Sequence, residues 1–341
     1  MLRNDMGIDL GTATILVYMR GKGIVLNEPS VVAIEQRSKK VLAVGEQAQR
    51  MLGRTPGNII ATKPLKDGVI ADFELTEVML KHFINKVCQR RSILRPRVVV
   101  CIPAGTTPVE KKAVIEAVTH TGAKEAFLIE EPRAAALGAG LDIFEPSGNM
   151  VVDIGGGTSD IAVLSMGEAV VSCSVRVGGD KFDTAIARYV KKEYNVLIGE
   201  QTAEKLKIEI GTAYPGNRDL SLDVRGRDLV TGLPRSITLT TAKILEALEE
   251  PLWDIIQGVK QVLEKTPPEL AGDIIDKGIV LTGGGALLDG MNKLIAEETG
   301  VPVYLAEDPI GSVALGTGKA LESIDKISQS LISSRNLAAS F

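Results

Sequence analysis

One local pattern occurs twice in this chain: an acidic strand end, a turn of small residues, and a second apolar strand. Ile8-Asp9-Leu10-Gly11-Thr12 aligns with Val152-Asp153-Ile154-Gly155-Gly156. Thr14-Ile-Leu-Val-Tyr follows the first turn, and Ser159-Asp-Ile-Ala-Val-Leu-Ser follows the second. Such a duplication predicts two similar domains, each opening on the same hairpin. The length of 341 residues agrees, at roughly 150 residues per domain. The pattern restarts near residues 146–149 (Pro-Ser-Gly-Asn), a turn-rich junction.

The segments between the copies read as mixed α/β. Residues 31–34 and 41–44 predict short strands. Residues 75–88 predict a helix with Val78, Leu80, Phe83, Ile84 and Val87 on one face. Residues 98–102 form a continuous apolar run, the mark of a strand buried on both faces. A helix over 109–121, with Ala113, Val114, Ala117 and Val118 inward, and a strand over 127–129 follow. Pro132 then opens a helix of small residues, where proline is favourable. After the second hairpin come helices over 182–194 and 203–210 and strands over 220–225 and 236–240. A helix over 243–263, kinked or broken at Pro251, a buried strand over 278–282 and a helix over 313–323 complete the chain. Aromatics make up only 4% of the chain while Gly counts 35, so aliphatic and small residues must do the packing.

Charge and cysteine content exclude several classes. The net charge of -4 argues against a global grip on nucleic acid. Cys88, Cys101 and Cys173 form no CxxC pair and are odd in number, so a disulfide framework is not expected and a reducing compartment is. His82 and His120 make no metal-binding pattern. The first residues carry no secretory signal. The longest stretch without charge, 98–109, is shorter than the 18–20 or so residues a membrane span needs.

Three glycine-rich turns carry chemistry. Asp9-Leu10-Gly11-Thr12-Ala13-Thr14 leaves backbone N–H groups free to face an anion, and Asp9 could hold a hydrated Mg²⁺. Asp153-Ile154-Gly155-Gly156-Gly157-Thr158-Ser159-Asp160 repeats it with three consecutive glycines, which are costly in chain entropy unless backbone must approach a ligand closely. Two such loops, facing one another, could clamp the β- and γ-phosphates of a nucleotide. Leu281-Thr282-Gly283-Gly284-Gly285-Ala286-Leu287 joins a buried strand to a helix and could lie against the nucleotide. Gly316-Thr317-Gly318-Lys319 resembles the end of a P-loop, but Val313 stands where its first glycine belongs and Ala320 follows the lysine.

Together these features resemble the actin, Hsp70 and sugar-kinase ATPase superfamily. The chain is more closely similar to one branch, the MreB/Mbl family of bacterial actin homologues. Asn27-Glu-Pro-Ser-Val-Val, Pro64-Leu-Lys-Asp-Gly-Val-Ile-Ala-Asp-Phe, Glu130-Glu-Pro, Pro146-Ser-Gly-Asn-Met-Val-Val-Asp-Ile-Gly-Gly-Gly-Thr and Glu264-Lys-Thr-Pro-Pro-Glu-Leu carry the likeness, which spans about residues 5–326. It implies an actin-like ATPase fold of two similar domains around a nucleotide cleft. Domain I would comprise 1–145 plus 313–335, with a small subdomain near 33–65. Domain II would comprise 146–312, with a small subdomain near 182–245, and 336–341 would be a tail.

The same resemblance implies roles. ATP and Mg²⁺ are the expected ligands. Thr12, Ala13 and Thr14 would form one phosphate loop, although many relatives have Asn at the place of Thr14. Gly155, Gly156, Gly157 and Thr158 would form the other. Asp9 and Asp153 match the acidic pair that organises Mg²⁺ through water. Glu131 matches the carboxylate that positions the attacking water, with Thr158 assisting; Glu130 reads as a helix N-terminal charge. Glu204, Lys205 and Lys207 match a helix at the adenosine, and Gly284, Gly285, Ala286 and Leu287 the adenine-side loop. Gly179 and Asp183 lie near the cleft in relatives. Arg90, Arg91, Arg95 and Arg97 surround Ile93 and Leu94, an apolar pair in a basic loop suited to an anionic membrane surface.

The expected function is a weak ATPase that polymerises head to tail on the cytoplasmic face of the inner membrane. There it would organise wall synthesis and rod shape, with itself and RodZ-like and MreC/MreD-like membrane proteins as partners and no nucleic acid. A small-molecule kinase and an Hsp70-like ATPase are the alternatives from the same superfamily.

Overall fold

The computed structural model describes residues 5–88, 95–216, 218–322 and 332–333. The first half opens on the hairpin β1 (Met6–Leu10) and β2 (Thr14–Met19), extended by β3 (Gly23–Pro29). A small sheet follows, of β4 (Val32–Glu35), β5 (Val41–Val44) and β6 (Ile59–Thr62), with the short helix α1 (Glu46–Gln49) inserted. The two-residue strands β7 (Leu65–Lys66) and β8 (Val69–Ile70) make a hairpin. Then come α2 (Phe73–Cys88), β9 (Arg97–Ile102), α3 (Pro108–His120), β10 (Glu125–Glu130) and α4 (Glu131–Gly138).

The second half repeats this plan. The hairpin β11 (Asn149–Ile154) and β12 (Ser159–Ser165) is extended by β13 (Glu168–Val175). Helix α5 (Gly179–Tyr194) and α6 (Glu200–Ile210) carry a second small sheet, of β14 (Val196–Leu197), β15 (Ser221–Asp228) and β16 (Pro234–Thr240). Next are α7 (Thr241–Lys265), α8 (Pro268–Lys277), β17 (Ile279–Thr282), a 3₁₀ turn over Gly284–Leu287, α9 (Met291–Thr299), β18 (Val303–Leu305) and α10 (Ser312–Glu322). A final strand, β19 (Ile332–Ser333), returns to β10.

The two main sheets share one topology. In the first, β1 pairs antiparallel with β2 and parallel with β9, which pairs parallel with β10. In the second, β11 pairs antiparallel with β12 and parallel with β17, which pairs parallel with β18. Alternation then sorts the side chains. Met6, Ile8, Val98 and Val100 face a core with α2 and α3, whereas Val99, Cys101 and Ile129 face the centre of the molecule. Val151, Ala162 and Leu164 of the second sheet meet that same central core.

Helices α4 and α10, which follow equivalent strands of the two sheets, cross at this centre. A Cβ at Gly138 would lie 1.7 Å from the Ser312 carbonyl oxygen, and one at Gly316 1.7 Å from that of Ala134. Backbone therefore packs on backbone, and the Gly-Thr-Gly-Lys run is a helix interface. Its Lys319 Nζ donates to the Leu137 carbonyl at 2.7 Å.

Several expectations need correction. Helix α7 runs unbroken through Pro251. Proline inside a helix costs about 3 kcal/mol. Ile244, Leu248, Leu252, Ile255, Ile256, Val259 and Val262 are all buried along the helix, and each contributes about 1.5–3 kcal/mol, so burial decides. In α2 the inward residues include Thr76 and Met79, while Val78 is only half-buried. In α3 Ile115 is buried and Ala113 is not. Among the described residues no helix is long and apolar enough to cross a membrane.

Candidate functional site

The duplicated turns meet. A Cβ at Gly157 would lie 2.4 Å from Thr12 Oγ1, and one at Gly156 2.5 Å from Ala13 Cβ. Only glycine lets the two loops approach this closely. The β7–β8 turn joins them from a third side: the Gly68 N–H donates to Thr12 Oγ1 at 3.0 Å. That turn is Asp67-Gly68, with φ of 50° and 78°, the residue pair a tight hairpin asks for. On the far side the N-terminus of α5 holds the second loop. The Gly179 and Asp180 amides donate to the Gly155 and Gly156 carbonyls at 3.0 and 2.8 Å.

Beneath the loops lies a cleft of about 430 Å³ between the two main sheets. Asp9, Thr12, Ala13, Thr14, Glu131, Asp153 and the run Gly155 to Thr158 line its floor. Gly179, Glu204, Lys207, Gly284, Gly285 and Leu287 line the rest. Lys205 turns away: its side chain is 54% exposed and pairs with Glu209 one turn on, because consecutive helical residues point in different directions. Asp183 and Ala286 are buried behind the lining. Lys207 Nζ holds Asp183 at 2.9 Å and the Gly179 carbonyl at 3.2 Å, so it fixes the start of α5. Ile93 and Leu94, with Arg90 and Arg91, lie outside the described residues. Arg97, which follows that segment, pairs with Asp5 at 2.8 Å.

Sequence reasoning missed further lining residues: Asn27, Gly68, Asp180, Ile208, Arg218, Asp289 and Ile310. Exposed Ile208, Leu287 and Ile310 give the mouth an apolar character. Arg218 Nε sits 3.3 Å from Asp289 Oδ2 at the same end.

The floor is acidic. Asp153 and Glu131 are buried and Asp9 half-buried at the ends of β11, β10 and β1, and Asp160 of β12 is buried outside the lining. Asp9 accepts from Cys101 Sγ at 3.2 Å, Asp153 from Thr282 Oγ1 at 2.7 Å, and Asp160 from the Ala104 N–H at 2.7 Å. Burial pushes Asp9 up to about 6, against the lowering pull of Cys101. It pushes Asp153 up to about 7, with Thr282 pulling the other way and Asp9 and Asp160 adding repulsion. Burial, then the charges of Asp160, Asp153 and Asp9, raise Glu131 well above the carboxylate range. Asp160 is raised by burial too.

This donor set fits a hydrated cation and a polyphosphate. The floor supplies the carboxylates of Asp9, Asp153 and Glu131, and the loops above supply glycine backbone. Among the described residues no three His, Cys, Asp or Glu side chains cluster as direct metal ligands.

The MreB/Mbl protein family model matches residues 3–329. A cell shape-determining protein Mbl of Bacillus cereus is 59% identical over 327 residues, 96% of this chain and 98% of that protein. A cell shape-determining protein MreB of Escherichia coli K12 is 58% identical over 331 residues, 95% of each chain. Crystal structures of MreB5 of Spiroplasma citri superpose on the chain at 38% identity. The ADP complex gives a TM-score of 0.91 and covers 96% of this chain and 98% of that one. The AMPPNP complex gives 0.90 and covers 97% and 99%. The actin-like fold implied by the sequence motifs is thereby shown.

Proposed function

The chain belongs to the MreB/Mbl protein family, and from that premise we propose that it is a cell-shape cytoskeletal ATPase of the actin-like fold. The observation that carries the proposal is the close approach of Gly156 and Gly157 to Ala13 and Thr12 over a cleft lined by the carboxyls of Asp9, Glu131 and Asp153. The relatives are named for determining cell shape, and the S. citri protein is seen with ADP and AMPPNP.

In this reading amides of the two loops face the phosphates, and the N-terminus of α5 holds the second loop in place through its carbonyls. Asp9 and Asp153 would hold a Mg²⁺ ion, which keeps most of its waters. When bound, that ion supplies neutralisation of charge on the phosphates. Glu131 accepts a hydrogen bond from the attacking water and keeps it in line with the γ-phosphorus, which is most of what phosphoryl transfer asks of a protein. Its place as the first residue of α4, locked by Pro132, makes the carboxylate rigid. Thr158 Oγ1 orients the water or a γ-phosphate oxygen. Glu204 and Leu287 flank the nucleoside, with Ile208 and Ile310 against the base.

Nucleotide-bound copies assemble head to tail into filaments, since a heterologous contact that does not close generates a filament. They lie on the cytoplasmic face of the membrane, held by Ile93 and Leu94, and guide wall synthesis with RodZ-like and MreC/MreD-like proteins. Electron microscopy of full-length protein with anionic vesicles and Mg·ATP tests this. Filaments on vesicles that disappear with Ile93→Ser/Leu94→Ser support the reading. Measurable nucleotide binding without filaments at any lipid composition contradicts it.

A further inference from the structure

Outside the phosphate loops, the two halves touch again at the mouth of the cleft. Lys63, between β6 and β7, reaches across to the second half. Its Nζ lies 2.9 Å from Asp180 Oδ1 in the first turn of α5 and 2.9 Å from Glu200 Oε1 at the start of α6. Beside it, Gln201 Nε2 donates to the carbonyl of Gln49, the last residue of α1, at 2.8 Å. These contacts join the small-sheet region of the first half to two helix N-termini of the second. Burial works against the Lys63 ammonium, but Asp180 and Glu200 outweigh it and hold its pKa above the ordinary value.

We infer that Lys63, with Asp180 and Glu200, is a latch that closes the cleft over its ligand and sets how fast that ligand leaves. The inference rests on the nucleotide reading of the cleft for the identity of the ligand. Asp180 is the link. Its carboxylate takes Lys63 and lines the cleft, while its amide holds the Gly156 carbonyl at 2.8 Å. Gly156 in turn packs on Ala13. The halves cannot separate at the loops without separating at Lys63. Glu200 alone would contribute little, because its side chain is 57% exposed. Lys63 and Asp180 are 23% and 28% exposed, and removing the ammonium would leave two carboxylates facing one another. Lys63 touches no reacting atom; it is a positioning residue.

Release of mant-ATP with Mg²⁺ from full-length protein, chased by excess ATP in stopped flow, reads the latch. Lys63→Met should release it at least about fivefold faster than wild type, and Lys63→Arg within about twofold of it. Single-turnover cleavage of nucleotide already bound should stay within about twofold in both. Wild-type release from Lys63→Met overturns the latch. Hydrogen exchange on the nucleotide-free protein gives a second reading. The Gly68 amide and the first-turn amides of α6 should exchange faster in Lys63→Met and not in Lys63→Arg. Unchanged exchange overturns the latch whatever the cleft binds. Raised exchange in a protein that holds no nucleotide supports the latch and overturns the nucleotide reading instead.

Discussion

Asp153 and Asp9 are held at about 7 and about 6, against an ordinary 3.8, because burial strips water from their charged forms. Between those values the folded chain binds more protons than the unfolded one, so these groups lend stability below about pH 4 and lose it as pH rises toward 7. Asp153→Asn cannot titrate. We therefore expect the melting temperature of the ligand-free wild type, measured against Asp153→Asn, to fall by several degrees between pH 5 and about 8. A difference that stays flat or rises over that range contradicts the buried-carboxyl account. Thr282→Val removes the hydroxyl that Asp153 accepts at 2.7 Å. The loss should raise the Asp153 pKa further and weaken Mg·ATP binding about fivefold to tenfold at pH 7, read by calorimetry. Asp9 and Asp153 stood out in the sequence as strand-end acids before glycine turns, whereas Glu131 was singled out only through the family resemblance. Asp180 and Arg218 were not legible, because a charged residue on an amphipathic helix or loop looks the same whether it faces solvent or a cleft.

Among the elements, the glycines carry the sharpest predictions. Ala is about 1 kcal/mol better than Gly inside a helix, yet Gly316→Ala in α10 or Gly138→Ala in α4 would drive a methyl group into opposing backbone. Each should lower stability in urea by about 1–3 kcal/mol, and a gain in stability would refute backbone-on-backbone packing of α4 and α10. Gly156→Ala acts differently, wedging the two loops apart at Ala13. It should weaken nucleotide binding by more than about tenfold while costing less stability than Gly316→Ala. The doubled hairpin and the buried strands β9, β10 and β17 could be read in the chain from apolar runs and Gly turns. Helix α8 and the strands β3, β6 and β13 could not. Their sequences mix charges into short apolar stretches, and tertiary pairing settles their state. The Asp67-Gly68 hairpin was not read from the sequence, and nothing local revealed that its amide would reach Thr12.

At the scale of the whole molecule, the structure is two copies of one sheet plan joined by crossed helices, with a cleft that each copy half builds. Neither half contains a complete site. Asp9, Thr12 and Glu131 come from the first and Asp153, Gly157 and Thr158 from the second, so any motion between halves changes the chemistry. In the proposed reading, one ligand in the cleft would thereby govern both hydrolysis and the shape a filament subunit presents. The central claim is that the cleft hydrolyses ATP with Glu131 placing the water. Glu131→Gln keeps the size of the side chain and, since burial already favours the uncharged acid, should fold normally. The decisive measurement is single-turnover phosphate release from Mg·ATP bound to wild type and to Glu131→Gln. The account predicts binding within about threefold and cleavage slowed at least about a hundredfold in the variant; equal cleavage rates, or no ATP bound by either protein, would contradict it.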